Sequence, residues 1–318
     1  MKLHLSEHWR HNLECPTCKA PLDQVRDQTL VCLCCQGRYP ISKGIVKFRA
    51  PDEDGSQPAF TTVGQDFHEN LVGRFGLYMA RRHYLYRISN HVKPGGRLIE
   101  IGSGGGSRYL GRRYDTLGVD LSLSAAQVCS SSCKSAIQSG ASPLPLASNS
   151  ADGIVSSCLL EHLDDTTVRP VLSEMCRVLA SGAVMVHFFD LDTDHGFFSW
   201  AKRQDWYGRI FVKSRGHFGL RPWNEWENLF AECGFRIQAA QFFCKWWIQD
   251  ASTWAALRDD EVPPLAKSVA RVVGSARSSR MLSLGVDCIT TFTDDTIGRL
   301  MPDRWSSKAI VILQKSTR

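Results

Sequence analysis

The stretch Arg97-Leu98-Ile99-Glu100-Ile101-Gly102-Ser103-Gly104-Gly105-Gly106 decides the fold. A short apolar strand carrying an acid near its end runs straight into glycines at alternate positions. Such glycines let backbone come within contact distance of a ligand where any side chain would collide. Ser107 to Tyr114 continues as the start of a helix. Strand, glycine turn and helix together are the nucleotide-binding opening of a doubly wound sheet. A second strand, Thr116-Leu117-Gly118-Val119, ends at Asp120. An acid at that tip can accept hydrogen bonds from both ribose hydroxyls.

Two details speak against a dinucleotide ligand. The G-x-G-x-x-G register places Ser107 where the third glycine belongs, and Glu100 would approach the pyrophosphate. A cofactor that tolerates an acid and carries a cation fits better. S-adenosylmethionine does: it has an amino group and a sulfonium, and no phosphate to repel. The same residues resemble the first motif of the class I S-adenosylmethionine-dependent methyltransferases, E/D-x-G-x-G-x-G, which Glu100, Gly102, Gly104 and Gly106 fill without a gap. Leu144-Pro145-Leu146, Ser150 to Ser157, Leu159-Leu160-Glu161-His162-Leu163 and Arg177 to Gly182 follow in the family's order. The resemblance covers about residues 65–245 and is closest to the ubiquinone and menaquinone biosynthesis type.

The resemblance implies an α/β, Rossmann-like sheet of seven strands, one antiparallel, with helices on both faces. It implies that the glycine loop lies under the methionine and ribose parts of the cofactor, that Asp120 holds the ribose hydroxyls, and that Leu121 lies against adenine. In the family an acid four places before the Leu-Pro pair receives the adenine amino group; here that position is Gly140, so backbone near Ala141 is the expected substitute.

Methyl transfer is an in-line displacement at a cationic sulfur, so the protein mainly positions the acceptor and removes water. A hydroxyl or activated-carbon acceptor needs a base, and His162, just past the fourth strand, is the candidate. Cys158 at the same strand end lacks the preceding proline of the pyrimidine methyltransferases' nucleophilic cysteine, and is read as a small thiol lining the cofactor pocket or the core. The run His187-Phe-Phe-Asp190-Leu-Asp192-Thr-Asp194-His195 reads as a solvated loop or as a metal site.

Cys15-Pro-Thr-Cys18 is followed, after a thirteen-residue gap, by Cys32-Leu-Cys34-Cys35. This spacing matches a tetrahedral zinc site of four thiolates, Cys15, Cys18, Cys32 and Cys35, joined by one hairpin, with Cys34 a spectator and Gly37 in the tight turn after the second pair. Four thiolates leave no open position, so the zinc would be structural. The segment resembles the zinc ribbons ahead of some bacterial methyltransferases and the small activator subunits of tRNA methyltransferases, over about residues 13–50.

The organisation then reads as a ribbon domain, 1–50, a linker, 51–64, and a methyltransferase domain, 65–318. A helix over 73–92 carries Phe75 and Tyr78 as candidates to close over the cofactor. Aromatic and basic residues over about 190–222 would cover the acceptor, and a helical insertion occupies about 255–305. The 318 residues, 43% hydrophobic and 22% charged, are globular values that exclude long disorder. A net charge of +6 permits an anionic partner without demanding one. No apolar run approaches the roughly 20 residues of a membrane span. The amino terminus lacks a secretory signal, and twelve cysteines suit a reducing, cytoplasmic setting. The expected acceptor is a small molecule or biosynthetic intermediate, lipid- or sugar-linked. The competing readings are an rRNA or tRNA methyltransferase whose ribbon binds RNA, a cofactor-binding scaffold without activity, and a peripheral membrane contact through the insertion.

Overall fold

In the computed structural model, residues 3–22, 24–26, 28–48, 83–213, 216–245 and 279–316 are described, with a few positions between 264 and 272. The linker and the first part of the proposed gate helix, Phe75 and Tyr78 included, lie outside them.

The amino-terminal segment forms helix α1 (Glu7–His11) and strands β1 (Gln24–Arg26), β2 (Thr29–Val31), β3 (Arg38–Ser42) and β4 (Ile45–Lys47). Helix α2 (83–91) buries Tyr84 and Ile88, and Val92 just past its end continues the stripe. Alternation then takes over. Strand β5 (Arg97–Ile101) turns Ile99 and Ile101 to one face of the sheet and Leu98 to the other. Helix α3 (Arg108–Arg113), strand β6 (Asp115–Asp120), helix α4 (Leu123–Cys129) and strand β7 (Ser135–Gln138) follow. Beyond them come β8 (Ala151–Ser157), helix α5 (Val168–Val178) and β9 (Leu179–Asp190). Helices α6 (Gly196–Ala201) and α7 (Trp223–Glu232), strand β10 (Phe235–Phe243), helix α8 (Arg280–Asp295) and strand β11 (Lys308–Lys315) complete the chain.

The strand order is β1-β2-β3-β4-β7-β6-β5-β8-β9-β11-β10. Strands β7, β6, β5, β8 and β9 are parallel, and β11 runs antiparallel to both β9 and β10. This is the expected seven-stranded sheet with one reversed strand. Helices α5 and α7 pack on one face, while α2 and α3 pack on the other.

The sequence did not foretell how the ribbon attaches. Strand β4 pairs in parallel with β7, Val46 opposite Ile137 and Lys47 opposite Gln138, so the ribbon's strands lengthen the main sheet to eleven. An otherwise open sheet edge is thereby paired. Trp9, fully buried, donates its indole N–H to the Asp115 carbonyl at 3.1 Å, and Ser6 donates its hydroxyl to the Asp115 carboxylate at 2.9 Å. Trp9, Leu13, Leu30 and Ile41 belong to the same apolar cluster as Ile99, Leu117 and Ile137.

Within the proposed insertion, α8 is amphipathic. It exposes Met281, Leu282, Ile289 and Phe292. Among the described residues no helix is long and apolar enough to cross a membrane.

Candidate functional site

The four predicted cysteines meet. Cys15 and Cys35 bring their sulfurs to 3.5 Å, Cys18 and Cys32 to 3.4 Å, and all four lie within 4.8 Å of one another. A tetrahedral zinc with bonds near 2.3 Å needs sulfurs about 3.8 Å apart, so the donors fit that ion. Cys34 is exposed and outside the group. The left-handed residue after each pair is Lys19 (φ 60°) or Gln36 (φ 61°), not the glycine expected after the second. Gly37 serves space instead: a Cβ there would fall 2.9 Å from the Tyr39 hydroxyl, which lies 3.0 Å from the Cys15 sulfur.

At the carboxyl ends of β5 and β6 the glycine loop closes on Asp120. One carboxylate oxygen accepts the Gly104 amide at 2.7 Å and the other accepts the Ser122 amide at 2.9 Å. Burial pushes the Asp120 carboxyl above its ordinary range, with these amides opposing the shift. Gly104 has φ +51°, and a Cβ built on it meets nothing within 4 Å. The loop therefore faces open space that only a glycine backbone lines, a cradle suited to a ligand lying close. Leu121, 38% exposed, stands beside Gly140, whose ideal Cβ would lie 3.9 Å from it. Gly102 abuts Leu159, bringing the turn after β8 alongside the loop.

Glu100 sits at the base of the glycine loop. It is 6% exposed, accepts the Ser107 amide at 3.3 Å and lies 3.9 Å from the Cys133 sulfur. It braces the loop from beneath. Ala141 is half-buried against the main core, and Cys158 is exposed in the left-handed region (φ 57°) with its amide bound to the Phe188 carbonyl at 2.7 Å.

His162 closes the 3-10 turn Leu160–His162 after β8. Its Nδ1–H donates to the Gly216 carbonyl at 2.9 Å, which settles the tautomer. Burial lowers its pKa, opposed by that carbonyl and by Asp190. Its neighbour Glu161 is 1% exposed, and burial, reinforced by Asp190, pushes its carboxyl up to about 8. His217 brings its ring centroid to 5.0 Å from that of His162. Sequence reading passed over His217, which lies among residues taken as an aromatic cover, and treated Glu161 only as part of a motif.

The run 187–195 disperses. His187 is fully buried with Nδ1 2.7 Å from the Ser156 hydroxyl, Asp190 pairs with Lys308, Asp192 with Lys202, and His195 caps α6. None of these joins a metal-type group among the described residues. Within the aromatic cover Phe198 and Trp206 are buried, and beyond it Trp226 packs on Phe189 and Phe230 with centroids 5.1 and 5.4 Å away.

Residues 99–187 match the family model described as methyltransferase domain. Among solved structures, the Bacillus halodurans protein BH2331, provisionally described as a methyltransferase, aligns with TM-score 0.50 at 13% identity, over 74% of this chain and 98% of its own. A chain from the complex of the Haloferax volcanii Trm112 methyltransferase activator with its provisionally assigned methyltransferase gives 0.48 at 14% identity, over 76% and 90%. Phosphoethanolamine N-methyltransferase 2 of Haemonchus contortus, solved with phosphomonomethylethanolamine and S-adenosylhomocysteine, gives 0.48 at 16% identity, over 77% and 57%. No curated protein sequence matches. The match to a methyltransferase domain spans residues 99–187, and the likeness to the Bacillus halodurans structure is one of fold.

Proposed function

We propose that this methyltransferase transfers a methyl group to a small-molecule acceptor, a biosynthetic intermediate of the lipid- or sugar-linked kind, in a reducing, cytoplasmic setting. The observation that carries the reading is the open cradle at Gly104, tied at 2.7 Å to the Asp120 carboxylate. Asp120 would hold the ribose hydroxyls. Gly102, Gly104 and Gly106 would pass under the methionine and ribose portions, with Glu100 bracing them from below. Leu121 and the backbone at Ala141 would flank adenine, and Cys158 would line the pocket wall. S-adenosylmethionine supplies an electrophilic methyl group on a cationic sulfur.

The residues after β8 stand where an acceptor would lie. The Glu161 carbonyl accepts the Gly219 amide at 2.8 Å, and Arg221 reaches the Leu163 carbonyl at 3.2 Å. With the His162–Gly216 bond, these fasten segment 216–221 over the strand end. This fastened cover favours a small acceptor over a long polymer and excludes water from the reacting centre. A neutral His162 can accept the proton of a hydroxyl acceptor. The four-cysteine cluster would hold zinc structurally, making residues 1–50 a built-in brace of the sheet edge.

Tritiated-methyl incorporation into fractionated cell extract, with and without nuclease, tests the reading. Label in a nuclease-resistant small-molecule fraction is expected. Nuclease-sensitive label would make the acceptor RNA, and bound cofactor without label in any fraction would leave a scaffold.

A further inference from the structure

Two imidazoles and one carboxylate converge beside the strand end in a way that acceptor positioning alone does not explain. Glu161 and His162 come from the turn after β8, and His217 comes from the cover. One donor atom from each lies within 4.8 Å of the other two. Glu161 is 1% exposed, and its Oε2 has no hydrogen-bond partner. A buried carboxyl oxygen left unsatisfied is destabilising, so a site this well built calls for a partner. His162 gives Nδ1–H to the Gly216 carbonyl, the backbone bond that fixes ring and tautomer in metal-ligating histidines.

The backbone that carries them is tied across the cover, which leaves the imidazoles free to turn. The Gly219 amide donates to the Glu161 carbonyl at 2.8 Å, and a Cβ on Gly219 would fall 2.2 Å from the Leu163 oxygen, so only glycine allows this approach. The cover cannot lift away without breaking these contacts.

We propose that Glu161, His162 and His217 bind one divalent first-row transition-metal ion, separate from the four-cysteine site, at the acceptor end of the crevice. Nitrogen donors with a single carboxylate suit zinc, cobalt(II), iron(II) or manganese(II), and three protein ligands leave coordination positions open. Bonds of 2.0–2.2 Å require donors about 3–3.5 Å apart, which small rotations of the imidazoles supply. Resting on the methyltransferase reading, the open position takes an oxygen of the acceptor. His162 then serves as a ligand, and acts as a base only in the cation-free protein.

The full chain, holding one zinc in its cysteine site, is titrated with cobalt(II) and followed by visible absorption and by metal content. The expected result is one further equivalent with weak d–d bands and no thiolate-to-cobalt charge transfer. Its affinity should fall at least tenfold in both His217→Ala and Glu161→Gln. No second equivalent, a second equivalent showing thiolate charge transfer, or affinity unchanged in both variants overturns the site. S-adenosylmethionine binding, measured by calorimetry on the same samples, reports on the methyltransferase reading separately.

Discussion

Gly140 is the position at which the crevice departs most from the motif it otherwise fills. An ideal Cβ there makes only ordinary contacts, 3.6 Å to the Ser142 carbonyl oxygen and 3.9 Å to Leu121, so a side chain fits. Gly140→Asp supplies an acceptor for the adenine amino group, worth about 1 kcal/mol. The expected outcome is S-adenosylmethionine binding about five- to tenfold tighter by calorimetry, and unchanged affinity would place adenine elsewhere. Single residues were legible where their chemistry is written in short spacing: the alternate glycines, Asp120 at its strand tip, the two cysteine pairs. Glu100 was legible as an acid of the motif but not as a brace, because which face a strand residue takes depends on neighbours such as Cys133, far along the chain. His217 was illegible because its partners lie more than fifty residues away and only the folded cover joins them.

At the scale of elements, Glu174 on α5 links the ribbon to the loop that holds Leu144. Its carboxylate accepts from Arg177 and from the Leu144 amide at 2.8 Å, and pairs with Lys19 of the ribbon at 3.3 Å. Burial pushes its pKa up, but Arg177, the Leu144 amide and Lys19 outweigh it and hold the carboxyl down at about 2. A depressed carboxylate contributes stability that is complete above its unfolded pKa, near 4.5, and is lost as pH falls toward 2. Denaturant unfolding should therefore show about 2 kcal/mol of acid-sensitive stability in that window. Glu174→Gln should flatten the dependence, and an equally steep profile in the variant would refute the linkage. Element types were readable, as in the last turns of the helix expected over 73–92, described from residue 83, and in the short apolar strand β5. The β4–β7 pairing was not, because three residues, Ile45 to Lys47, are too few to declare which distant strand they join.

Among the described residues, the ribbon and one face of the sheet share a core. Just past β4 the Phe48 amide reaches the Gln138 carbonyl at 2.9 Å, and the Gln138 amide group reaches the Leu121 carbonyl at 3.1 Å, so two bonds connect the ribbon to the segment after β6. If the four cysteines hold zinc as proposed, stripping it with a chelator should lower the single melting transition and weaken S-adenosylmethionine binding together. Two separate transitions with binding intact would mean an independent module. Trp9→Ala opens a cavity in the shared core and should cost about 3–5 kcal/mol in urea unfolding. A loss under 1 kcal/mol would show that α1 only rests on the surface. The most direct test is calorimetric titration of the intact chain and of Asp120→Ala with S-adenosylmethionine. One equivalent taken up by the intact chain, and affinity about a hundredfold lower in the variant, is the predicted result; no uptake, or equal affinity in both proteins, would contradict it.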